Sequence, residues 1–330
     1  MRTICWISCV MWLTTPLLSH AEPHKVEITF QNHQLSFKAD GKLVTTYHAG
    51  PQVAKPYFWP ILTPKGVPVT RAWPMEKGMK GETTDHVHQK SAWFCHGDVI
   101  AEGISSGKKI PHVEGIDFWS ETPGHGKIVC VEIQSPTVKD NHGTVVTKNV
   151  WKTADGTPIM SELRTIHFQA LDQGSLLIME STLTADVTNI TFGDTKEGAF
   201  GVRVSDAIAV KPGGGQFTNS LGNTGEASIW GKSASWCDYV GKVNNQTAGI
   251  AVLDHPKNPH PAYWHARGYG LMAANPFGRE KSGFPGQKGK KDLVKLAKGQ
   301  SLTVRYGIYA HDGDTNAAKV NEVYTQFSGK

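Results

Sequence analysis

Val26-Glu-Ile-Thr-Phe-Gln-Asn-His-Gln-Leu-Ser-Phe-Lys-Ala-Asp-Gly-Lys-Leu-Val-Thr-Thr-Tyr47 decides the fold. Val26, Ile28 and Phe30 alternate with polar residues, as do Leu35 and Phe37, which is the two-residue period of a half-buried strand. Asp40-Gly41 sits between Leu35–Ala39 and Leu43–Tyr47. A tight turn joining two twisted strands needs residues that accept positive φ, so this dipeptide marks a hairpin.

The same pattern continues outward. Thirty-five glycines and eighteen prolines are spread along the 330 residues, which suits many short strands joined by turns. Strands are predicted at Lys127–Gln134, Gly143–Lys152, Ser161–Gln169, Ser175–Thr184, Ile190–Phe192 and Phe200–Val204. Later ones are predicted at Ser228–Trp230, Trp236–Val240, Thr247–Leu253, Tyr269–Ala273 and Leu302–Ala310. Tyr57–Pro68, rich in proline and aromatics, reads as an edge or loop, because proline cannot donate to a central ladder. One helix is predicted over Thr315–Phe327, capped by Asp314, with Ala317, Val320, Val323, Tyr324 and Phe327 as its apolar stripe. No repeat and no strand–helix alternation is visible. The expectation is an all-β fold, a large antiparallel β-sandwich with one C-terminal helix, as a single domain over 22–330.

Residues 1–21 read as a signal peptide. Arg2 supplies the positive end, Ile4–Leu18 is mostly apolar, and Ser19-His20-Ala21 closes in a small-x-small pattern. No later segment approaches the roughly 18 apolar residues of a membrane span, so a secreted or periplasmic protein is expected. Cys5 and Cys9 leave with the signal. Cys95, Cys130 and Cys237 then permit at most one disulfide, and the core has to hold the fold. The net charge of +5 is modest, and its basic cluster at Lys288–Lys298 is broken by glycine and Leu-Val. It reads as a solvated loop, and no nucleic-acid partner is expected.

Candidate chemistry centres on Thr84–Asp98, which carries His86, His88, Lys90, Trp93, Cys95, His96 and Asp98. If Asp85–Ser91 is extended, His86, His88 and Lys90 share one face. Two imidazoles side by side suit an acid/base pair or a divalent metal such as zinc or calcium, with a distant carboxylate completing the set. The plain alternative is hydrogen-bonded structural histidines. Glu114–Glu121 adds Asp117, Trp119 and Glu121, where Trp119 either stacks on a ligand or fills the core. Asp194–Arg203 adds Lys196, Glu197 and Arg203, with Glu197 a carboxylate able to face the histidines from another strand. Tyr263–Gly270 puts His265 and Arg267 on one face beside Tyr263, with Trp264 on the other, and Asn275 follows. An Arg, His and aromatic mixture suits a polyol or a carboxylated sugar. No nucleotide cofactor is expected, since Gly-x-Gly-x-x-Gly and the P-loop are absent. A Gly-x-Ser-x-Gly elbow and His-Glu-x-x-His are absent too, which disfavours a serine hydrolase and that class of zinc protease.

Asp85–Asp98, Gly115–Trp119, Thr195–Gly198 and Tyr269–Gly278 together resemble a family of secreted bacterial proteins labelled "methane oxygenase PmoA-like". The resemblance spans nearly the whole mature chain. It departs at Gln89, where many relatives carry another histidine, and in the longer loop Ile100–Val113. The methane monooxygenase subunit of that name crosses the membrane several times, which this chain cannot do after its signal. Methane oxidation is therefore not expected. The all-β reading instead is similar to galactose-mutarotase-type supersandwiches, which serve epimerases, lyases and glycosidase domains.

Two functions follow. The favoured one is an exported carbohydrate-active enzyme, a lyase, epimerase or glycoside hydrolase. In it His86, His88, His96, Glu197 and His265 carry catalysis, with His86 and His88 as candidate metal ligands. Lys90, Trp93, Asp117, Trp119, Lys196, Arg203, Tyr263, Arg267 and Asn275 bind the sugar. The other is a glycan-binding module, with Trp93, Trp119, Tyr263 and Trp264 stacking on sugars. An enzyme needs His86, His88 and Glu197 in one pocket, whereas a binding module needs exposed aromatics.

Overall fold

A computed structural model describes residues 24–329. The segment read as a signal peptide, with Cys5 and Cys9, lies outside the described residues. The N-terminal hairpins form as expected. β1 (Val26–Gln31) pairs antiparallel with β2 (Gln34–Ala39), and β3 (Lys42–His48) follows across Asp40 and Gly41, whose φ angles are 50° and 76°. Next come β4 (Tyr57–Ile61), β5 (Ala92–His96), β6 (Val99–Ala101), β7 (Lys127–Ile133), β8 (Thr137–Lys139) and β9 (His142–Lys152). They are followed by β10 (Pro158–Leu171), β11 (Gly174–Thr184), β12 (Ile190–Phe192), β13 (Gly198–Arg203), β14 (Gln216–Asn219) and helix α1 (Glu226–Ile229). The chain ends with β15 (Trp236–Val243), β16 (Gln246–Asp254), β17 (Tyr263–Arg267), β18 (Leu271–Asn275), β19 (Val294–Leu296), β20 (Ser301–Asp312) and α2 (Val320–Ser328).

These strands make two large antiparallel sheets. The eight-stranded sheet runs β1-β2-β3-β4-β5-β13-β18-β17. The nine-stranded sheet runs β14-β15-β16-β20-β11-β10-β9-β7, with β8 on β9. A small sheet, β19-β12-β6, stands apart. The large sheets face each other through aromatic contacts. Phe37 meets Phe168 at 5.7 Å between ring centroids, and Phe200 stacks on Tyr306 at 5.3 Å. Buried in the same interior, the Arg164 guanidinium is held by Glu162 of its own strand and donates to the Tyr47 hydroxyl of the opposite sheet. A buried charge is tolerated only with such partners. The all-β sandwich is the observed fold.

Four local expectations change. β4 is a central strand between β3 and β5, although Tyr57–Pro68 read as edge or loop. Its pairing is sparse and shifts register between Thr45 and Tyr47 of β3, which leaves room for Pro60. Ser228 and Ile229 belong to the short helix α1, with Trp230 capping its C-terminus, rather than to a strand. Part of the lysine-rich loop, Val294–Leu296, is strand β19, because Val294 and Leu296 are buried while Lys295 points out. Helix α2 begins at Val320, not Thr315. Asp314 does accept the backbone N–H groups of Asn316 and Ala317, but Lys319 is left-handed (φ 54°), so the helix starts after it. Cys95, Cys130 and Cys237 are all free thiols.

Candidate functional site

The site lies over the face of the eight-stranded sheet turned away from the nine-stranded one. On β5, Phe94 packs on Trp151 and Tyr306 of the opposite sheet, while its neighbour Trp93 packs on Trp119 at 5.1 Å. Trp119 lines a cavity of about 600 Å³. His265 and Arg267 project into it from alternate positions of β17, as the period of two requires, while Trp264 and Ala266 on the other face are buried in the core. Thr195–Glu197 enter from the turn before β13, and His86 and His88 from the loop before β5. The cavity therefore gathers His86, His88, Asp117, Trp119, Lys196, Glu197, His265 and Arg267 from four separate stretches of sequence.

The His86–His88 loop is not extended. Val87 and His88 form a turn, with the Gln89 N–H donating to the His86 carbonyl at 2.9 Å and His86 at φ 43°. Arg71 is the cause. Its buried guanidinium takes the carbonyls of Asp85 (3.0 Å) and His86 (3.1 Å), which a strand ladder would have used. The two imidazoles nevertheless stay close, 5.7 Å between ring centroids and nearly perpendicular. His86 stacks on Tyr269 at 5.2 Å. Its Nδ1 lies 2.8 Å from Oδ2 of Asp85, whose Oδ1 is clasped by both Arg71 and Arg203. Two buried cations thus orient a carboxylate, and the carboxylate orients His86 with Nε2 free.

Glu197 and His265 form the opposite wall. Oε1 of Glu197 meets the Lys196 ammonium at 2.9 Å, and Oε2 faces Nδ1 of His265 at 3.9 Å. That nitrogen is buried and has no hydrogen-bond partner. Burial works to raise the Glu197 pKa, but His265 and Lys196 outweigh it and hold the carboxyl below its ordinary value. Burial pushes His265 down to about 4. His88 also falls to about 4, through burial and then the nearby Lys55 and His86. Both imidazoles are neutral at pH 7. The near-neutral titration of a free imidazole does not apply to them.

Gly97 fixes Glu197 in place. Its N–H donates to the Glu197 carbonyl at 2.7 Å, and a Cβ there would sit 2.8 Å from Cβ of Glu197. Asn275 braces the same turn from below, donating to the Thr195 and Lys196 carbonyls while accepting the N–H groups of Phe277 and Gly278.

Other residues singled out in the sequence lie elsewhere. His96 is fully buried, with Nε2 on the Gly193 carbonyl and its ring against Phe192 and Phe277, and it does not line the cavity. Burial lowers it to about 4. Lys90 is bound to Glu121, beside the buried amine of Lys55. Arg203 acts through Asp85 and lies over the Tyr269 ring. Trp93 is buried, and Tyr263 packs over Gly286, outside the cavity. Asp117 lines the cavity, but its carboxylate is spent on the Trp119 and Ser120 N–H groups and the Ser120 hydroxyl.

Sequence reasoning missed Arg71, Gly97, Glu226 and the cavity-facing role of Tyr269. Asp85 and Tyr269 did lie within the quoted stretches, but their contacts come from loops distant in sequence. Among the described residues, no three of His, Cys, Asp or Glu converge closely enough to enclose a metal ion. His86 and His88, with Nδ1 of His86 already on Asp85, lack a third protein donor, so the side chains do not fit the expected metal centre.

The fold and site thus define a β-sandwich with a cavity on one sheet that is lined in part by imidazoles and a carboxylate. The chain belongs to the family of unknown function DUF6807, which matches residues 34–325. That finding does not carry the "methane oxygenase PmoA-like" label. No curated protein matches the chain. Among solved structures it is similar to galactose 1-epimerase from Lactobacillus acidophilus NCFM, with TM-score 0.40 and 7% identity over 89% of this chain and 100% of that one. A galactose mutarotase-like protein from Clostridium acetobutylicum gives TM-score 0.43 and 10% identity, over 88% and 99%. The galactosidase domain of the α-galactosidase–sucrose kinase AgaSK gives TM-score 0.40 and 10% identity over 87% of this chain. This chain spans 42% of that protein's length.

Proposed function

We propose that this is an exported, single-domain enzyme that moves a proton on a sugar, as an epimerase, a mutarotase or an eliminating lyase. The observation that carries the reading is the 3.9 Å gap between Nδ1 of His265 and Oε2 of Glu197 inside a cavity of about 600 Å³. A sugar hydroxyl in the cavity reaches the carboxylate, with the buried Nδ1 of His265 standing beside it. Glu197, ionised, takes a proton from that hydroxyl or from a C–H beside a carbonyl. His265, neutral and buried, carries an unpartnered Nδ1, and a turn of its ring toward the cavity lets it pair with the substrate oxygen. His86, held through Nδ1 by Asp85, presents Nε2 to accept or return a proton.

The lining suits a sugar, which presents polar edges and an apolar face together. Imidazole, carboxylate, amine and hydroxyl groups offer donors and acceptors, with the half-buried Tyr269 as ring-sized apolar surface. Hydrolysis by paired carboxylates is less well supported. Asp117 is spent on its own turn, and Glu226 is tied to Arg267 and the Gly268 N–H, which leaves Glu197. The binding-module reading needs exposed rings, yet Trp93, Trp119 and Trp264 are each 2% exposed or less.

The test is solvent-deuterium incorporation, followed by NMR, across a panel of aldoses, keto-sugars and 3-keto-glycosides. Wild-type protein exchanges deuterium into a C–H of at least one of them, eliminates it or speeds its anomeric interconversion, and Glu197→Gln does not. A protein that binds a sugar from the panel yet neither exchanges nor converts it would refute the reading.

A further inference from the structure

Four consecutive residues, Ile110-Pro-His-Val113, line the cavity that holds Glu197. They form one tight turn. The Val113 N–H donates to the Ile110 carbonyl at 3.2 Å, and His112 takes φ 66°. Proline second and positive φ third is the arrangement of a type II turn, whose third position is normally glycine or asparagine. The hairpin turns of this chain meet the same demand mostly with Asn or Asp, at Asn32, Asp40, Asp140, Asn244 and Asn245. Backbone geometry alone therefore does not call for histidine at 112. Among the described residues, His86 and His112 are the two non-glycine residues of positive φ that line this cavity.

The turn is held in place from its base. Val99 and Ile116 exchange both backbone hydrogen bonds at 2.9 Å, and the buried Asp98 carboxylate accepts the Glu114 and Gly115 N–H groups. Glu102 is tied to Thr188 and Asn189. Farther out, Lys108 lies against Gly124, where an added Cβ would stand 2.9 Å from that of the lysine. A loop pinned at its base and along its side presents its tip in a set position. The His112 imidazole is exposed at that tip, and among the described residues no side chain pairs with it. His112 and Val113 also line a neighbouring cavity, which places them at the rim of the one that holds Glu197.

We infer that the Ile110–Val113 turn grips the substrate and that His112 is a binding residue, hydrogen-bonded to a sugar hydroxyl away from the reacting carbon. The inference rests on the sugar-directed reading of the cavity. An imidazole carries a hydrogen-bonding nitrogen on each side of one ring, which suits a hydroxyl able both to donate and to accept. Ile110, Pro111 and Val113 beside it supply apolar surface for the C–H face of the same sugar ring. The rim position assigns His112 to binding rather than to proton transfer. An uncommon backbone conformation held at a ligand cavity is accounted for by what its side chain does there.

The test uses two variants that suit the backbone better than histidine does. His112→Gly removes the ring, whereas His112→Asn keeps a donor and an acceptor, and both residues take positive φ readily. Steady-state kinetics are measured on glucose, galactose, fructose and methyl 3-keto-β-glucopyranoside, with whichever of these the wild-type protein converts. His112→Gly should raise KM about 3–10-fold, the weight of one hydrogen bond, with kcat within about twofold of wild type. His112→Asn should recover part of that loss, and the urea midpoints of both variants should stay at or above wild type. An unchanged KM in His112→Gly, a fall in kcat in place of the rise in KM, or a lowered urea midpoint alongside that rise would overturn the inference and leave the proposed function standing. Conversion of none of the four sugars by wild-type protein would overturn the sugar-directed reading and this inference with it.

Discussion

Nδ1 of His265 stands 3.9 Å from Oε2 of Glu197, too far for a hydrogen bond and close enough for each side chain to feel the other's charge. β17 delivers the histidine and the turn before β13 the carboxylate, with β18 between the two strands in the sheet. Glu197→Gln keeps the shape and removes the base. It is expected to lower turnover about 10²–10⁴-fold, the usual weight of a general acid/base, while KM changes little. Steady-state kinetics on a substrate found by the deuterium screen checks this. A Glu197→Gln enzyme within threefold of wild type would remove Glu197 from the chemistry.

Gly97→Ala tests the placement of the same carboxylate without touching it. The added methyl would lie 2.8 Å from Cβ and 2.9 Å from the carbonyl oxygen of Glu197. Because the 2.7 Å hydrogen bond from Gly97 to that carbonyl pins the turn, the turn has to shift. Overpacking of this kind costs about 1–3 kcal/mol in stability. Activity should fall by more than that loss explains, since misplacing a catalytic group by about 1 Å costs on the order of 10²-fold. A folded Gly97→Ala protein with full activity would show that Glu197 tolerates displacement.

Asp85→Asn probes the orientation of His86. The carboxylate bridges Nδ1 of His86 and the two buried guanidinium groups of Arg71 and Arg203. With an amide there, two buried cations lose their shared anion, and His86 loses the partner that fixes its tautomer. The expected result is a fall in kcat of at least about tenfold and a stability loss above about 1 kcal/mol, from hydrogen bonds to charged groups. Tyr269→Phe serves as the control, because it keeps the ring stacked on His86. Equal kcat in Asp85→Asn and wild type would make the dyad structural.

Much of this was legible from residues alone, and the failures have physical causes. Strict alternation marked the long strands, since a strand buried on one face writes its period into the sequence. The convergence of His86, His88, Glu197 and His265 was also anticipated, because polar groups crowded on strand ends have to find each other or a ligand. The loop before β5 was misread as extended. Its carbonyls are taken by Arg71, a residue whose role depends on a contact 14 positions away that no local pattern announces. β4 was demoted for its proline, although irregular pairing let Pro60 sit inside the sheet. Trp119 and Trp93 read equally as ligand platform or core, and burial, which is a tertiary property, decides that choice.

Trp119→Ala therefore changes meaning. An exposed stacking ring would affect binding alone, but Trp119 is 2% exposed and packs on Trp93 at 5.1 Å. Its carbonyl also accepts the buried Lys55 ammonium at 2.9 Å. Truncation should cost about 3–5 kcal/mol, read as a lower urea midpoint, together with weaker substrate binding. A loss below about 1 kcal/mol would mean that the ring is not part of the core.

The last expectation concerns acid. His96 and His265 are 0% and 2% exposed, and burial holds both pKa values near 4, against about 6.5 in an unfolded chain. Above pH 6.5 neither state is protonated, so these groups add no pH dependence. As pH falls from 6.5 towards 4, the unfolded chain binds protons that the folded chain refuses, and stability declines. Below about 4 both states are protonated, and their contribution levels off. At 1.36 kcal/mol per unit, each imidazole can remove roughly 3 kcal/mol across that window. The depressed carboxyls of Asp85 and Glu197 act in the same direction at lower pH. Other partly buried histidines, His48 and His167 among them, are lowered as well, so the slope alone does not assign the effect. The difference between proteins does. His96→Gln, which cannot titrate, should start less stable at pH 7 but lose about one proton's worth less between pH 6.5 and 4.5. Urea midpoints at four pH values measure that difference, and parallel curves for His96→Gln and wild type would show that His96 is protonated alike in both states.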